Sequence, residues 1–240
     1  MKLKTLSAAC LAGALLCPSL TAYAGIPVMV DADPLRQIQY ATDAQNWLKT
    51  VEQYKSQLNA YKSQLATATG VRNVQDFLSQ AKGLSNDLKN LQKNGISLND
   101  LLTNSGGSYS SALNGLYSKY KMFDTCDATQ TQSYADTCKQ IVINRAVAVE
   151  DTTAVQEKIN STVSDISTLV SRIEMSQDAK ESQDLANTIT SKSVQLNALT
   201  TQWEMSVKQS ELRDQMLTSQ RQKAGQQQQL NAPVADLNNL

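Results

Sequence analysis

The chain has 240 residues with 22 basic and 22 acidic side chains, no histidine, two Phe and two Trp. The balanced charge argues against nucleic acid as a partner, because such binding rests on an excess of Lys and Arg. The missing histidine removes the commonest general base and the commonest metal ligand, and the low aromatic content favours thin helical bundles over a thick sandwich or an α/β domain.

The first 24 residues have the pattern of a secretory signal peptide. Lys2 and Lys4 supply a positive start, and the apolar run that follows is too short to span a bilayer. Ala-Tyr-Ala at positions 22–24 is a small-x-small cleavage motif. We expect cleavage between Ala24 and Gly25 and export of the mature chain, with a retained N-terminal anchor as the alternative.

Residues 25–32 form an apolar leader that proline stiffens. Pro27 disfavours helix at the residue before it, so the leader is predicted to be extended. An apolar segment at a terminus either docks on a partner or tucks against its own bundle, and both remain open. The candidate docking residues are Ile26, Pro27, Val28, Met29 and Val30.

A long first helix is predicted over residues 33–70. Asp33 is a good N-cap, and Pro34 suits the first helical position. Apolar residues then alternate at steps of four and three until Gly70, which suits a left-handed helix end. One heptad position is aromatic four times in succession, which indicates the edge of a core seam rather than a stacking platform. These residues are Tyr40, Trp47, Tyr54 and Tyr61.

Residues 71–137 are predicted to be a small, mostly helical globular insert. Six of the nine glycines lie between positions 70 and 115, which is typical of an irregular segment between long helices. An amphipathic helix should end at Asn94-Gly95, and Ser97 with Asp100 resembles a capping box for a short helix. Another short helix contains Leu113, Tyr117 and Tyr120.

Two cysteines remain once Cys10 and Cys17 leave with the signal peptide. In an exported chain, Cys126 and Cys138 favour a disulfide that closes the insert. A metal site is the competing interpretation, but no histidine and no second cysteine pair complete four ligands.

Two further long helices are predicted over residues 138–224. The stripe from Ala148 to Ile173 runs at steps of four and three without a slip, so one face requires burial. The stripe loses phase over residues 176–183, which favours a turn. The three long helices then have similar lengths of about 55–60 Å at 1.5 Å per residue. The sequence therefore predicts an all-α fold, an elongated antiparallel three-helix bundle with the insert between helices one and two. Residues 225–240 are expected to be a disordered polar tail.

No pattern for chemistry is found. The chain has no glycine-rich phosphate loop, no nucleophile elbow and no paired-metal carboxylates. We therefore expect no enzymatic activity, no catalytic residue, no cofactor and no metal, and a protein that works through its surfaces.

The chain resembles the minor pilins of type IV secretion systems in three respects. It starts with Gly25-Ile26-Pro27-Val28, and Asp33-Pro34 then opens a long helix. A closed insert and two more long helices follow that helix. The resemblance is to the TraC-like pilus-tip proteins of conjugative DNA transfer, and it covers the mature chain. It implies a tip protein that nucleates or caps the pilus and helps to recognise recipient cells.

The resemblance also implies partners. These are the major pilin, the inner-membrane channel subunit, the recipient cell surface and a ring of identical copies, with five expected. Taken with the glycines and loops of the insert, it makes Tyr109, Tyr117 and Tyr120 candidates for an adhesive surface. The alternative function is a periplasmic helical chaperone or assembly factor of a secretion system.

Overall fold

The computed structural model describes residues 34–103, 109–126 and 129–232. Within these ranges the regular elements are all helical, which confirms the predicted all-α class. They are α1 (Pro34–Ala68), α2 (Val74–Lys93), α3 (Leu98–Thr103), α4 (Tyr109–Lys119), a 3₁₀ helix (Lys121–Thr125), α5 (Gln132–Met175) and α6 (Ala179–Leu230). The predicted signal peptide, the cleavage site at Ala24 and Gly25 and the leader residues 26–30 lie outside the described residues.

The three long helices α1, α5 and α6 pack along one another around a shared core. At one end the Gln37 amide of α1 donates a 2.8 Å hydrogen bond to the Ser176 carbonyl after α5. At the other end Arg145 of α5 donates to the Ala68 carbonyl, so α1 and α5 are antiparallel. Lys192 of α6 contacts Asp165 of α5 at 2.7 Å, and α6 returns antiparallel to α5.

The core of these helices uses the predicted stripes. Ile159, Ile166 and Ile173 of α5 are fully buried, and they meet apolar residues of α1 and α6 in one cluster. The aromatic heptad position of α1 lies at the margin of this cluster, where Tyr40, Trp47 and Tyr61 are half-buried. The core interpretation is confirmed for these three aromatics; Tyr54 is half-buried but is not packed against this cluster.

The predicted ends of the helices at Gly70 and Gly95 and the predicted helix start at Ser97 are also confirmed. Gly70 and Gly95 have φ values of +79° and +86°, a conformation that glycine adopts without steric cost. Ser97 and Asp100 form the reciprocal capping box, because the Asp100 backbone N–H donates to Ser97 Oγ at 3.1 Å and the Ser97 backbone N–H donates to Asp100 Oδ2 at 3.3 Å.

The described residues between 74 and 126 form a small unit at one end of the long helices, which we call the head. Its core contains Phe77, Leu84, Leu101 and Met122, all fully buried. Ile143 of α5 and Leu217 of α6 belong to the same cluster. The head is therefore built on the ends of α5 and α6, and α5 begins inside the range predicted for the insert.

The long helices differ in length, contrary to the prediction of equal rods. They contain 35, 44 and 52 residues, or about 52, 66 and 78 Å at 1.5 Å per residue. The reason is that α5 and α6 extend alongside the head, whereas α1 ends beneath it. The predicted turn is present as the short connection from Ser176 to Asp178.

Helix α6 continues through Gly225 to Leu230, so the polar tail begins later than predicted. Gly225 faces the Tyr134 ring at the start of α5, where an added Cβ would lie 3.5 Å from a ring carbon. The Arg221 guanidinium also lies 4.6 Å from the centre of that ring. This packing gives the end of α6 a tertiary partner that helix propensity alone does not reveal.

Polar contacts also join α5 to α6 near the head. The Asn144 amide donates to the Ser210 carbonyl at 3.0 Å, and Trp203 Nε1 donates to Thr152 Oγ1 at 3.1 Å. Arg145 pairs with Asp214 through two 2.9 Å contacts. Buried polar groups that find partners in this way fix the register of α5 against α6.

Candidate functional site

The molecule has two distinct ends. The head lies at one end, and the start of α1 lies at the other, beside the turn between α5 and α6. At this far end Leu35, Ile38 and Met175 are exposed large apolar residues. Helix α1 begins at this end with Pro34, and the predicted docking residues 26–30 precede it in the sequence.

A disulfide bond joins Cys126 and Cys138, as the sequence predicts. Cys126 follows the 3₁₀ helix, and Cys138 lies in the second turn of α5. Both cysteines are buried in the head core. The bond therefore links the last segment of the head covalently to the helix that continues into the bundle.

An open depression of about 550 Å³ lies beside this disulfide. It is open to solvent, and polar side chains make up much of its lining. Its lining residues come from α4, the 3₁₀ helix and α5, and they are Asn114, Tyr117, Ser118, Phe123, Asp124, Cys126 and Lys139.

Aromatic and cationic groups are stacked in the depression. The rings of Tyr117 and Phe123 meet edge to face with centroids 4.9 Å apart. Lys139 Nζ lies 4.3 Å from the centre of the Tyr117 ring, a cation–π contact that holds the ammonium group at the depression. Burial, and secondarily the charge of Asp136, raises the pKa of the Tyr117 phenol, so this hydroxyl stays neutral at physiological pH.

The three tyrosines predicted as an adhesive surface differ in their positions. Tyr117 is half-buried and lines the depression. Tyr120 is only 8% exposed and belongs to the head core, so its ring is not available at the surface. Tyr109 begins α4, and its side chain lies outside the described residues.

Tyr120 is buried because α2 offers it both space and a partner. Its ring lies over Gly83, where an added Cβ would be 3.1 Å from the ring. Its hydroxyl donates to Asp87 Oδ2 at 2.7 Å, and Lys119 Nζ donates to the same oxygen at 2.7 Å. The hydrogen bonds from Lys119 and Tyr120 hold the pKa of Asp87 below its ordinary value.

Among the described residues, no group of three or more His, Cys, Asp or Glu is arranged to hold a metal ion. None of the helices in these ranges has a stretch long and apolar enough to cross a bilayer. What the depression offers is noncovalent binding, through an ammonium group, amide and hydroxyl groups and an aromatic base.

Sequence reasoning missed most of the residues that line the depression. Lys139 follows Cys138 directly, so the predicted disulfide could have drawn attention to it. Asn114 and Phe123 carry no such signal, because their position depends on how α4 and the 3₁₀ helix fold onto α5. The exposed Leu35 and Ile38 were also missed, since they precede the regular part of the α1 seam.

Comparison with known proteins identifies a family for this chain. A family model described as type IV secretion system proteins matches residues 25–223. This range begins at the predicted start of the mature chain and includes α1, the head, α5 and most of α6. No curated protein and no solved structure matches the chain significantly.

Proposed function

The chain belongs to the family of type IV secretion system proteins, and from this premise we propose that it is a minor pilin without enzymatic activity. In this proposal it is exported, reaches the tip of a conjugative pilus, nucleates or caps pilus assembly and contributes to recognising recipient cells. The observation that carries the proposal is the family match over residues 25–223.

The head and the far end lie at opposite ends of the molecule, which supports a different set of partners for each. The far end carries Leu35, Ile38 and Met175 and the attachment of the leader, and exposed apolar clusters are typical of protein contacts. We assign this end to the inner-membrane channel subunit and the major pilin. A ring of identical copies, with five expected from the family resemblance, is part of the same proposal.

The head is assigned to the recipient cell surface. Its depression holds the Lys139 ammonium group over Tyr117 and places Asn114 and Ser118 at the margin. These groups suit a polar surface component, because the depression combines hydrogen-bonding side chains with the Lys139 ammonium group and the Asp124 carboxylate.

Location is tested by shearing appendages from cells that carry the secretion system and probing for the protein. We expect it in the sheared pili, at one end of each filament by immunogold labelling. Recovery only in the periplasmic extract would contradict the tip proposal and favour the chaperone alternative.

Recognition is tested by reversing one charge in the depression. Lys139→Glu should reduce mating efficiency at least about tenfold, a loss of the size expected for a charged contact, while pilus number stays unchanged. Lys158→Glu is the matched control, because it reverses an exposed lysine of the same helix at the level of the bundle. Equal mating by the two variants would contradict the role of the depression.

A further inference from the structure

The head contains two Asn-Gly pairs, Asn94-Gly95 and Asn114-Gly115. In such a pair the backbone nitrogen of the glycine can reach the asparagine side-chain amide with little hindrance, because glycine has no Cβ and rotates freely. Both asparagines are exposed, so access to water does not distinguish them. The backbone around each pair does.

The first pair lies at the end of α2. Asn94 is the C-cap residue, and Gly95 follows it with a φ of +86°. The Gly95 N–H donates to the Gln92 carbonyl at 3.0 Å, and the Ile96 N–H donates to the Leu91 carbonyl at 3.0 Å. Helix ends fray, so these bonds open and close in a local motion that leaves the rest of the head folded.

Packing holds the last turn of α2 only weakly. Leu88 is the last buried residue of this helix. Beyond it Leu91 is half-buried, whereas Gln92 and Lys93 are exposed. Opening the turn that precedes Asn94 therefore exposes little additional apolar surface, and the free-energy cost of opening is low.

The second pair lies in the middle of α4. The Gly115 N–H there belongs to the hydrogen-bond ladder of the helix. The flanking Leu113 and Leu116 are 7% and 6% exposed and belong to the head core. Release of the Gly115 nitrogen therefore requires a packed helical turn to open.

We propose that Asn94 is a site of spontaneous deamidation in the folded protein, and that α4 protects Asn114 from the same reaction. The Gly95 backbone nitrogen forms a bond to Asn94 Cγ. The bond between Cγ and the side-chain nitrogen breaks, and ammonia leaves with the proton of the Gly95 N–H. Water from the solvent then opens the five-membered succinimide at either carbonyl group, which gives aspartate or isoaspartate at position 94. The proposal does not depend on the proposed function.

Both products weaken the end of α2. Aspartate places a negative charge at the C-terminal end of the helix, where the helix dipole is negative as well. Isoaspartate adds a methylene group to the backbone inside the loop that the hydrogen bond from Ile96 to Leu91 closes. Because Ile96 packs against the head core, loss of this bond should loosen the margin of the head.

Mass spectrometry of the folded protein after incubation at mildly alkaline pH tests the site. Cleavage after Lys93 and Lys119 leaves both asparagines in one peptide, so fragment ions report each position in the same sample. Asn94 should convert at least about tenfold faster than Asn114, because a helix end opens more readily than a packed helix middle. Equal rates in the folded protein would overturn the proposal.

The same incubation in guanidinium chloride separates the effect of the structure from that of the sequence. With the helices unfolded, the two Asn-Gly pairs have the same local chemistry and should react at similar rates. If Asn94 converts in the denaturant but stays intact in the folded protein, the end of α2 is as well protected as α4 and the proposal is wrong.

Asn94→Gln and Asn114→Gln are a matched pair of variants, because glutamine would have to close a larger ring and reacts more slowly. After ageing, the thermal midpoint of the wild type and of Asn114→Gln should fall below that of fresh samples, while Asn94→Gln should keep its midpoint. An equal fall in Asn94→Gln, or a converted wild type with an unchanged midpoint, would overturn the expected weakening of the head.

Discussion

Asp87 links α2 to the end of α4 and the segment after it through one carboxylate oxygen. Its Oδ2 accepts hydrogen bonds from Tyr120 of the segment after α4 and from Lys119 at the end of α4. Tyr120 is buried, whereas Lys119 is largely exposed and its charge is screened by solvent. The Tyr120 hydrogen bond is therefore the part of this contact that matters most for stability.

Asp87→Asn should destabilise the protein by about 1 kcal/mol at pH 7, the usual net contribution of one hydrogen bond. The folded pKa of Asp87 lies below the ordinary value of 3.8, so its charge stabilises the fold above that pH and the contribution is lost as the pH falls through the lowered pKa. Urea unfolding of the wild type and of Asp87→Asn at pH 7 and near pH 2 measures the difference in their free energies of unfolding at each pH.

The difference between wild type and Asp87→Asn should vanish in acid. Asp184→Asn, which changes an exposed carboxylate on α6, is the control and should alter stability little at either pH. An Asp87→Asn deficit that stays constant with pH would show that the charge has no part in it.

Sequence reasoning succeeded where a residue's role is local. Gly70, Gly95 and the Ser97–Asp100 box were predictable because helix ends are specified within a few residues. The burial of Tyr120 was not predictable, because it depends on Gly83 of another helix. The same holds for Gly225, whose helical conformation goes with the Tyr134 ring far away in sequence.

At the scale of elements, α5 is the helix that both cores share. Its first part carries Cys138 and Ile143 into the head core, and its later part carries Ile159 and Ile166 into the core of the long helices. The apolar stripe of α5 predicted the second role. The role of α5 in the head core was not predicted. The residues of α5 before Ala148 lie partly in the range predicted for the insert, and their contacts in the head are distant in sequence.

Replacing both cysteines by serine should destabilise the head by about 3 kcal/mol, since the bond closes a short loop in the unfolded chain; the separation is 12 residues. Reductant should lower the thermal midpoint of the wild type to that of the variant and leave the variant unchanged. A variant as stable as the wild type would contradict a structural role for the disulfide.

At the scale of the whole molecule, the long helices make the protein a rod with a head. Helix α6 alone spans about 78 Å at 1.5 Å per residue. The antiparallel order of α1, α5 and α6 brings the far end and the head as far apart as these helices allow. In the function proposed above, this separation lets one end contact the assembly machinery while the other faces outward.

Small-angle scattering of the processed protein should give a radius of gyration above about 20 Å, because a compact chain of the same length would have about 17 Å. A radius near the compact value would show that the helices fold back on themselves in solution.

The continuity of α5 has a mechanical consequence. Pulling on the head loads α5 along its axis, and the Cys126–Cys138 bond keeps the last loop of the head from peeling away from that helix. Tension then runs down one uninterrupted backbone to the opposite end, with the polar contacts around Asn144 and Arg145 resisting slippage against α6. A protein built in this way should resist stretching along the axis of its long helices.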